Sequence, residues 1–140
     1  MADRTLNISI VTPKETAYEG KALAVSVPGA HSPFQVLYNH APIISSLESG
    51  VIRIEDENNH VVYFASREGF VEVLKNNVNI IVQELVPASA IDADAAESEY
   101  AREHSASNAG HDRQARETAR AAATWAAARM RAARMMREGS

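Results

Sequence analysis

The stretch FQVLYNHAPIISSLESG, residues 34–50, decides how the chain is read. Its apolar residues form two short runs that read as strands, one on each side of Asn39-His40-Ala41-Pro42. Pro42 biases Ala41 towards extended geometry, so the segment turns and then continues as a strand. The turn holds one imidazole, His40, and no second titratable group is arranged with it as a proton-transfer partner. A lone histidine in such a corner hydrogen-bonds neighbouring backbone or faces a partner. A structural or interface role is therefore expected of His40, not a catalytic one.

Working outward, the same strand signal recurs. Leu6, Ile8 and Ile10 alternate with Asn7 and Ser9. Leu23, Val25 and Val27 alternate with smaller residues until Pro28-Gly29 stops the run. Further strands are expected at 51–54, 61–65, 70–74 and 78–83. Period-two alternation rich in Val, Ile, Phe and Tyr marks half-buried strands. The gaps carry turn chemistry at 55–60, 66–69 and 75–77. Short strands at this spacing imply hairpins packed as a sandwich or flattened barrel.

At Pro87 the composition changes: Val, Ile and Phe almost vanish, and Ala, Glu and Arg take over. Asp92 to about Ser105 reads as a helix with Ser89 or Asp92 as N-cap. Ser107-Asn108-Ala109-Gly110 reads as a breaker. Asp112 to about Arg137 has neither Pro nor Gly and reads as a second helix, roughly 39 Å long at ~1.5 Å per residue. On a helical wheel Ala115, Ala119, Ala122, Ala126, Met130 and Ala133 form one stripe. Arg113, Arg116, Arg120, Arg131 and Arg134 form another, with Trp125, Arg129 and Arg137 off both. An Ala stripe allows close approach but buries little area, so the helical pair is expected to be weakly held. The arginine stripe fits a solvated face, a surface for an acidic partner, or nucleic acid.

Charge follows the same division. Up to Gly110 there are fifteen acidic and seven basic residues; from His111 on there are seven arginines and three acidic residues. The asymmetry points to two segments with different partners. With no cysteine, disulfide, thiolate-metal and cysteine-nucleophile chemistries are excluded. No apolar run is long enough to span a membrane. The opening MADRTLNISIV has neither an apolar signal region nor Arg/Ser-rich transit character, so the chain is expected to work in the compartment where it is made.

Catalytic constellations are missing. Gly20-Lys21 lacks the earlier Gly and the following Ser or Thr of a phosphate loop, and there is no HExxH or GxSxG. His31, His40, His60, His104 and His111 are scattered. The acidic residues from Asp92 to Glu103 suit an early helix. No metal site, no cofactor and no enzymatic activity are expected.

The residues then combine into a pattern. Pro28-Gly29, Val36-Leu37, His40-Ala41-Pro42-Ile43, Leu47, Gly50-Val51-Ile52, Gly69-Phe70-Val71-Glu72-Val73 and Asn77-Val78 follow in order. Ile91-Asp92 precedes an Ala-rich helical pair. This resembles the epsilon subunit of bacterial F-type ATP synthases, called delta in mitochondria, over about residues 6–105. The resemblance implies an α+β chain: a flattened ten-stranded antiparallel β-sandwich (1–86) docking to gamma and the c-ring, then a regulatory α-helical hairpin (87–140). It implies a central-stalk rotor subunit that couples proton-driven rotation to ATP synthesis. Its hairpin would inhibit hydrolysis by meeting an acidic segment of a beta subunit. The membrane would be touched only through the c-ring, on the cytoplasmic face of the bacterial inner membrane, and nucleic acid would play no part.

The interface candidates so implied are His31, Phe34, Tyr38 and His40 on the sandwich, and Arg113, Arg116, Arg120, Arg131 and Arg134 on the helix. Departures from the family pattern bear on function. The loop before His40 offers His31 and Phe34 where a carboxylate is common. Ser66-Arg67-Glu68-Gly69 stands where Ser-Gly-Gly is common. The ATP motif of some relatives is reduced to a remnant, Ile91, Asp92 and Arg102, with Ala95 at its arginine position. Loss of that guanidinium removes phosphate-pairing donors, so weak or no ATP binding is expected. The alternative is a small β-sandwich binding module with a basic nucleic-acid-binding helical tail.

Overall fold

The computed structural model describes residues 4–109 and 112–139. Gly110 and His111, where the break between the helices is expected, lie outside the described residues. Nine strands come first: β1 Leu6–Val11, β2 Thr16–Val27, β3 Phe34–Leu37, β4 Ile43–Leu47, β5 Gly50–Asp56, β6 Val61–Ser66, β7 Gly69–Leu74, β8 Asn77–Val82 and β9 Leu85–Pro87. A 3-10 turn at Ala88–Ala90 leads into α1, Ala93–Ala109, and α2, Arg113–Glu138. Hydrogen bonding runs in the order β4-β7-β8-β1-β2-β5-β6-β9, with β3 also on β2.

The fold class stands, with two corrections of detail. Among the described residues there are nine strands where ten were expected, and β2 does the work of two. Its residues Thr16–Ala22 pair with β1, while Ala24–Val27 pair with β3 and Ala22–Ser26 with β5. The second correction is that β1 and β8 are parallel, against antiparallel pairing everywhere else. They lie far apart in the chain, so the long crossover that a parallel pair requires is available.

A register shift between Ala22 and Ala24 marks a bulge in β2. A bulge inserts one residue and changes which face later side chains reach. Hence Ala22, Val25 and Val27 are buried while Leu23 is only half-buried. Simple alternation through Leu23, Val25 and Val27 missed that change of phase.

Inward side chains from β1 to β8 meet in one aliphatic cluster, including Leu6, Ile10, Val25, Val36, Ile52, Ile54, Val71, Val78 and Ile80. At Gly69 the chain of β8 comes so close that a Cβ would run into the Ile81 carbonyl oxygen. Two turns are joined directly. Asn39 and Asn76 both have positive φ, which asparagine tolerates. The Asn39 N–H donates to the Asn76 side-chain oxygen at 2.6 Å, and the Asn76 amide donates back at 3.3 Å.

Asp92 caps α1 by accepting from the Ala95 N–H at 3.1 Å. Helix α1 runs on to Ala109, through most of the expected breaker. Ser107 is buried there and donates to the His104 carbonyl at 2.7 Å, which satisfies its hydroxyl inside the helix. Asp112 caps α2, accepting from Ala115 N–H at 2.7 Å. Helix α2 packs along α1 and lies across β5, β6 and the 3-10 turn, so the hairpin is folded down on the sandwich.

Candidate interaction surfaces

The first surface is the corner that opens the sequence. The β2–β3 connection is tied to β4 by a Gly29–Leu47 bridge and by bonds from Ala30 N–H to Ser46 O and Glu48 N–H to Pro28 O, at 2.9 and 3.0 Å. This anchored loop presents His31 exposed, with Phe34 half-buried. The Phe34 and His40 rings lie 6.4 Å apart. His40 Nδ1 is 2.6 Å from the Ala41 carbonyl oxygen, a contact the protonated nitrogen makes as donor, and its backbone N–H donates to Leu37 O at 3.0 Å. Tyr38 and Leu37 are exposed beside it.

The second surface was not foreseen as a site. On the outer face of β4, β7, β8 and β1, the register puts Ser46, Phe70, Ile81 and Val11 in one row across the strands. Ile44 lies in the next row, with Glu72, Asn79 and Ser9, and Leu74 in the row after that, opposite Asn77. Phe70, Ile81 and Ile44 are 56%, 57% and 74% exposed, well beyond what a half-buried sheet face requires. Contiguous exposed apolar residues of this kind mark interaction sites. The signal was present in the strand alternation, where Phe70, Leu74 and Ile81 occupy positions that a solvated face gives to polar residues. Towards the other end the face turns polar, through Asn7, Asn77 and Asn79.

The third surface is α2, which has three faces, not two. Ala119, Ala126 and Ala133 of the expected Ala stripe are buried. Trp125, Ala128, Ala132 and Met136, at spacings of three, four and four, form a second apolar stripe. It packs on Ala65, Val51, Tyr63, Val86, Ala88 and Ile91. Trp125, read from sequence as lying off both stripes, is the centre of this seam. Away from both apolar stripes Arg113, Arg120, Arg131 and Arg134 are exposed, with Arg113 paired to Glu117 at 3.0 Å. Arg116 is half-buried and has a partner of its own. Arg129 falls between the two apolar stripes and reaches Glu99 of α1 at 2.7 Å.

The nucleotide remnant is not assembled. Ile91 packs into the seam, Asp92 is engaged as a helix cap, and Arg102 is exposed with only a 4.0 Å contact to Glu103. Among the described residues two titrations are displaced, that of Asp56 at the end of β5 and that of Tyr18 in β2, which feels the Asp56 charge. The Asp56 carboxyl is lowered, first by the backbone N–H of His60 and also by that of Asn58. The Tyr18 hydroxyl is raised by burial, with the Asp56 charge adding to it. Among the described residues no cluster of three or more His, Asp or Glu could hold a metal ion. No described helix is long and apolar enough to cross a membrane.

A family model for the β-sandwich domain of the ATP synthase delta/epsilon chain matches residues 5–88. The chain belongs to that family. It is 37% identical over 106 residues to the ATP synthase epsilon chain of Salinibacter ruber, a stretch covering 70% of each protein. It is 31% identical over 131 residues to that of Thermosynechococcus vestitus, covering 91% of this chain and 94% of the relative. The fold is shared with a chain of the Euglena gracilis mitochondrial ATP synthase, at a TM-score of 0.80 and 18% identity over 89% of this chain and 78% of that one. A chain of the Tetrahymena thermophila mitochondrial ATP synthase central stalk and c-ring gives 0.64 and 14% identity over 95% and 99%. As a member of the delta/epsilon family, the protein is a structural and regulatory subunit of the membrane-associated ATP synthase, not itself a catalyst. The nucleic-acid alternative gives way to this membership.

Proposed function

We propose that this subunit turns with the central stalk, its sandwich (1–86) docked to gamma and the c-ring and its hairpin (87–140) acting as a conditional brake on ATP hydrolysis. The observation that carries the reading is the unequal treatment of the sandwich's two outer faces. One is covered by α2; the other exposes Ile44, Phe70, Leu74 and Ile81, which no described helix covers. The bare face suits a long-lived apolar contact with gamma. The anchored corner of His31, Phe34, Tyr38 and His40 offers the c-ring a firm aromatic and imidazole edge. Arg120, Arg131 and Arg134 supply charge complementarity to an acidic beta surface, a type of contact that steers and selects partners. The engaged state of Asp92 supports weak or no ATP binding. The complex would sit on the cytoplasmic face of the bacterial inner membrane.

The test is binding to a bacterial gamma subunit. Phe70→Asp buries a charge in the contact and is expected to weaken capture by roughly a hundredfold or more, consistent with truncation of an interface anchor. The double change Arg131→Ala with Arg134→Ala is expected to bind gamma normally but to relieve inhibition of ATPase activity in the reconstituted complex. Undiminished capture by Phe70→Asp would reject the docking face. Unchanged inhibition by the arginine double variant would reject the charge contact.

A further inference from the structure

We propose that Trp125, approached by two guanidinium groups, is the latch that keeps the hairpin docked and sets how readily it is released from the sandwich. The regulatory meaning rests on the brake reading above; the latch itself rests on geometry.

Arg67, in the short connection between β6 and β7, places its guanidinium carbon 5.3 Å from the centre of the Trp125 ring. Arg129, one turn further along α2, places its own at 5.2 Å. Both are within the range at which a cation is attracted by an aromatic face, and the attraction grows when the groups are desolvated. Trp125 is only 5% exposed. Each arginine has a buried Nε with no hydrogen-bond acceptor. An orphaned charged donor is unfavourable, and the indole supplies compensating negative potential. Two cations at one ring also need counter-charges. Arg129 has Glu99 of α1 at 2.7 Å, and Arg67 has Glu84, in the β8–β9 connection, at 3.8 Å.

The cluster therefore joins four parts of the chain: the two helices and two connections of the sandwich. The remaining buried residues of the seam are Ala65, Ala88, Ala128 and Ala132, whose methyls offer little area. Trp125 is thus the one large side chain among the buried residues of the seam, with Val51, Tyr63, Val86, Ile91 and Met136 packed partly buried around it, and Arg67 is its cationic contact from the sandwich side.

The experiment is amide hydrogen exchange on the isolated full-length chain. Arg67→Ala is expected to lower protection of α2 residues 123–133 by roughly three- to fivefold, the scale of one cation–aromatic contact whose cation is still 38% exposed. Protection in β1 and β8 should stay as it was. In a Trp125→Leu background the same Arg67→Ala change should have no further effect, since the contact is already gone. Trp125 is the only tryptophan in the chain, so its acrylamide quenching should rise in Arg67→Ala. Unchanged protection of α2 overturns the latch. So does an equal loss with and without Trp125, or an equal loss in β1 and β8, because Arg67 would then be supporting the sandwich alone. The measurement needs no gamma subunit, so its failure and a failure of stalk docking are separately visible.

Discussion

The sandwich core and the hairpin seam are two apolar clusters built on opposite plans. Among the described residues the core gathers sixteen buried side chains, of which one is alanine and the rest are Leu, Ile, Val or Phe. The seam gathers five, of which four are alanine and one is Trp125. Large branched side chains interlocking across layers fill space and bury much area per residue. Methyl groups around one indole bury little, and leave that indole as the one large side chain among the buried residues. The difference is what the proposed brake requires: one part that stays folded and another whose departure leaves the first intact.

The largest predicted effect attacks the core. Ile80→Ala should destabilise the whole chain by about 2–5 kcal/mol, the usual result of emptying a fully buried aliphatic site. Urea unfolding should show sandwich and hairpin signals lost together. Next comes the seam. Ala132→Leu inserts three carbons where the side chain has no exposure, and should weaken docking by about 1–3 kcal/mol. Here exchange in α2 should quicken while the unfolding midpoint of the sandwich stays in place. A shift of that midpoint as large as the effect on α2 would erase the contrast.

The smallest effect concerns acid. The folded state holds the Asp56 carboxyl below its ordinary value, so this group adds stability at neutral pH. The contribution is lost as pH falls below the ordinary carboxylate range and through the lowered value. Asp56→Asn should flatten the acid limb of the stability profile slightly. Titration of Asp56 by NMR in the parent should show the depressed midpoint; an ordinary one would remove this expectation.

Most of the sandwich was legible because Leu6, Ile8, Ile10, Val71, Val73, Val78, Ile80 and Val82 alternate cleanly with exposed neighbours. The first half of β2 was not, since TAYEGKA carries little apolar material and is held by pairing with β1. Strand β9 is three residues long and has no period to read. The bulge took Leu23 off the core face while Val25 and Val27 stayed on it, and nothing local in Ala22-Leu23-Ala24 announces an inserted residue. On the helix, the Ala and Arg stripes were visible from spacing alone. The role of Trp125 was not, because its partner Arg67 is distant in sequence and was conspicuous only as a departure from family pattern. The apolar outer face was written plainly in Phe70, Leu74 and Ile81, but a strand read for its core side draws no attention to its other side.

The parallel pairing of β1 with β8 has a consequence for how the protein is made. Asn7 and Asn77, side by side in the finished fold, are seventy positions apart. During synthesis β1 leaves the ribosome long before the strand that covers its free edge exists. An uncovered edge invites pairing with other chains. The sandwich therefore cannot close progressively from its beginning; it must wait for β8, and until then the nascent chain is exposed to mispairing at its first strand.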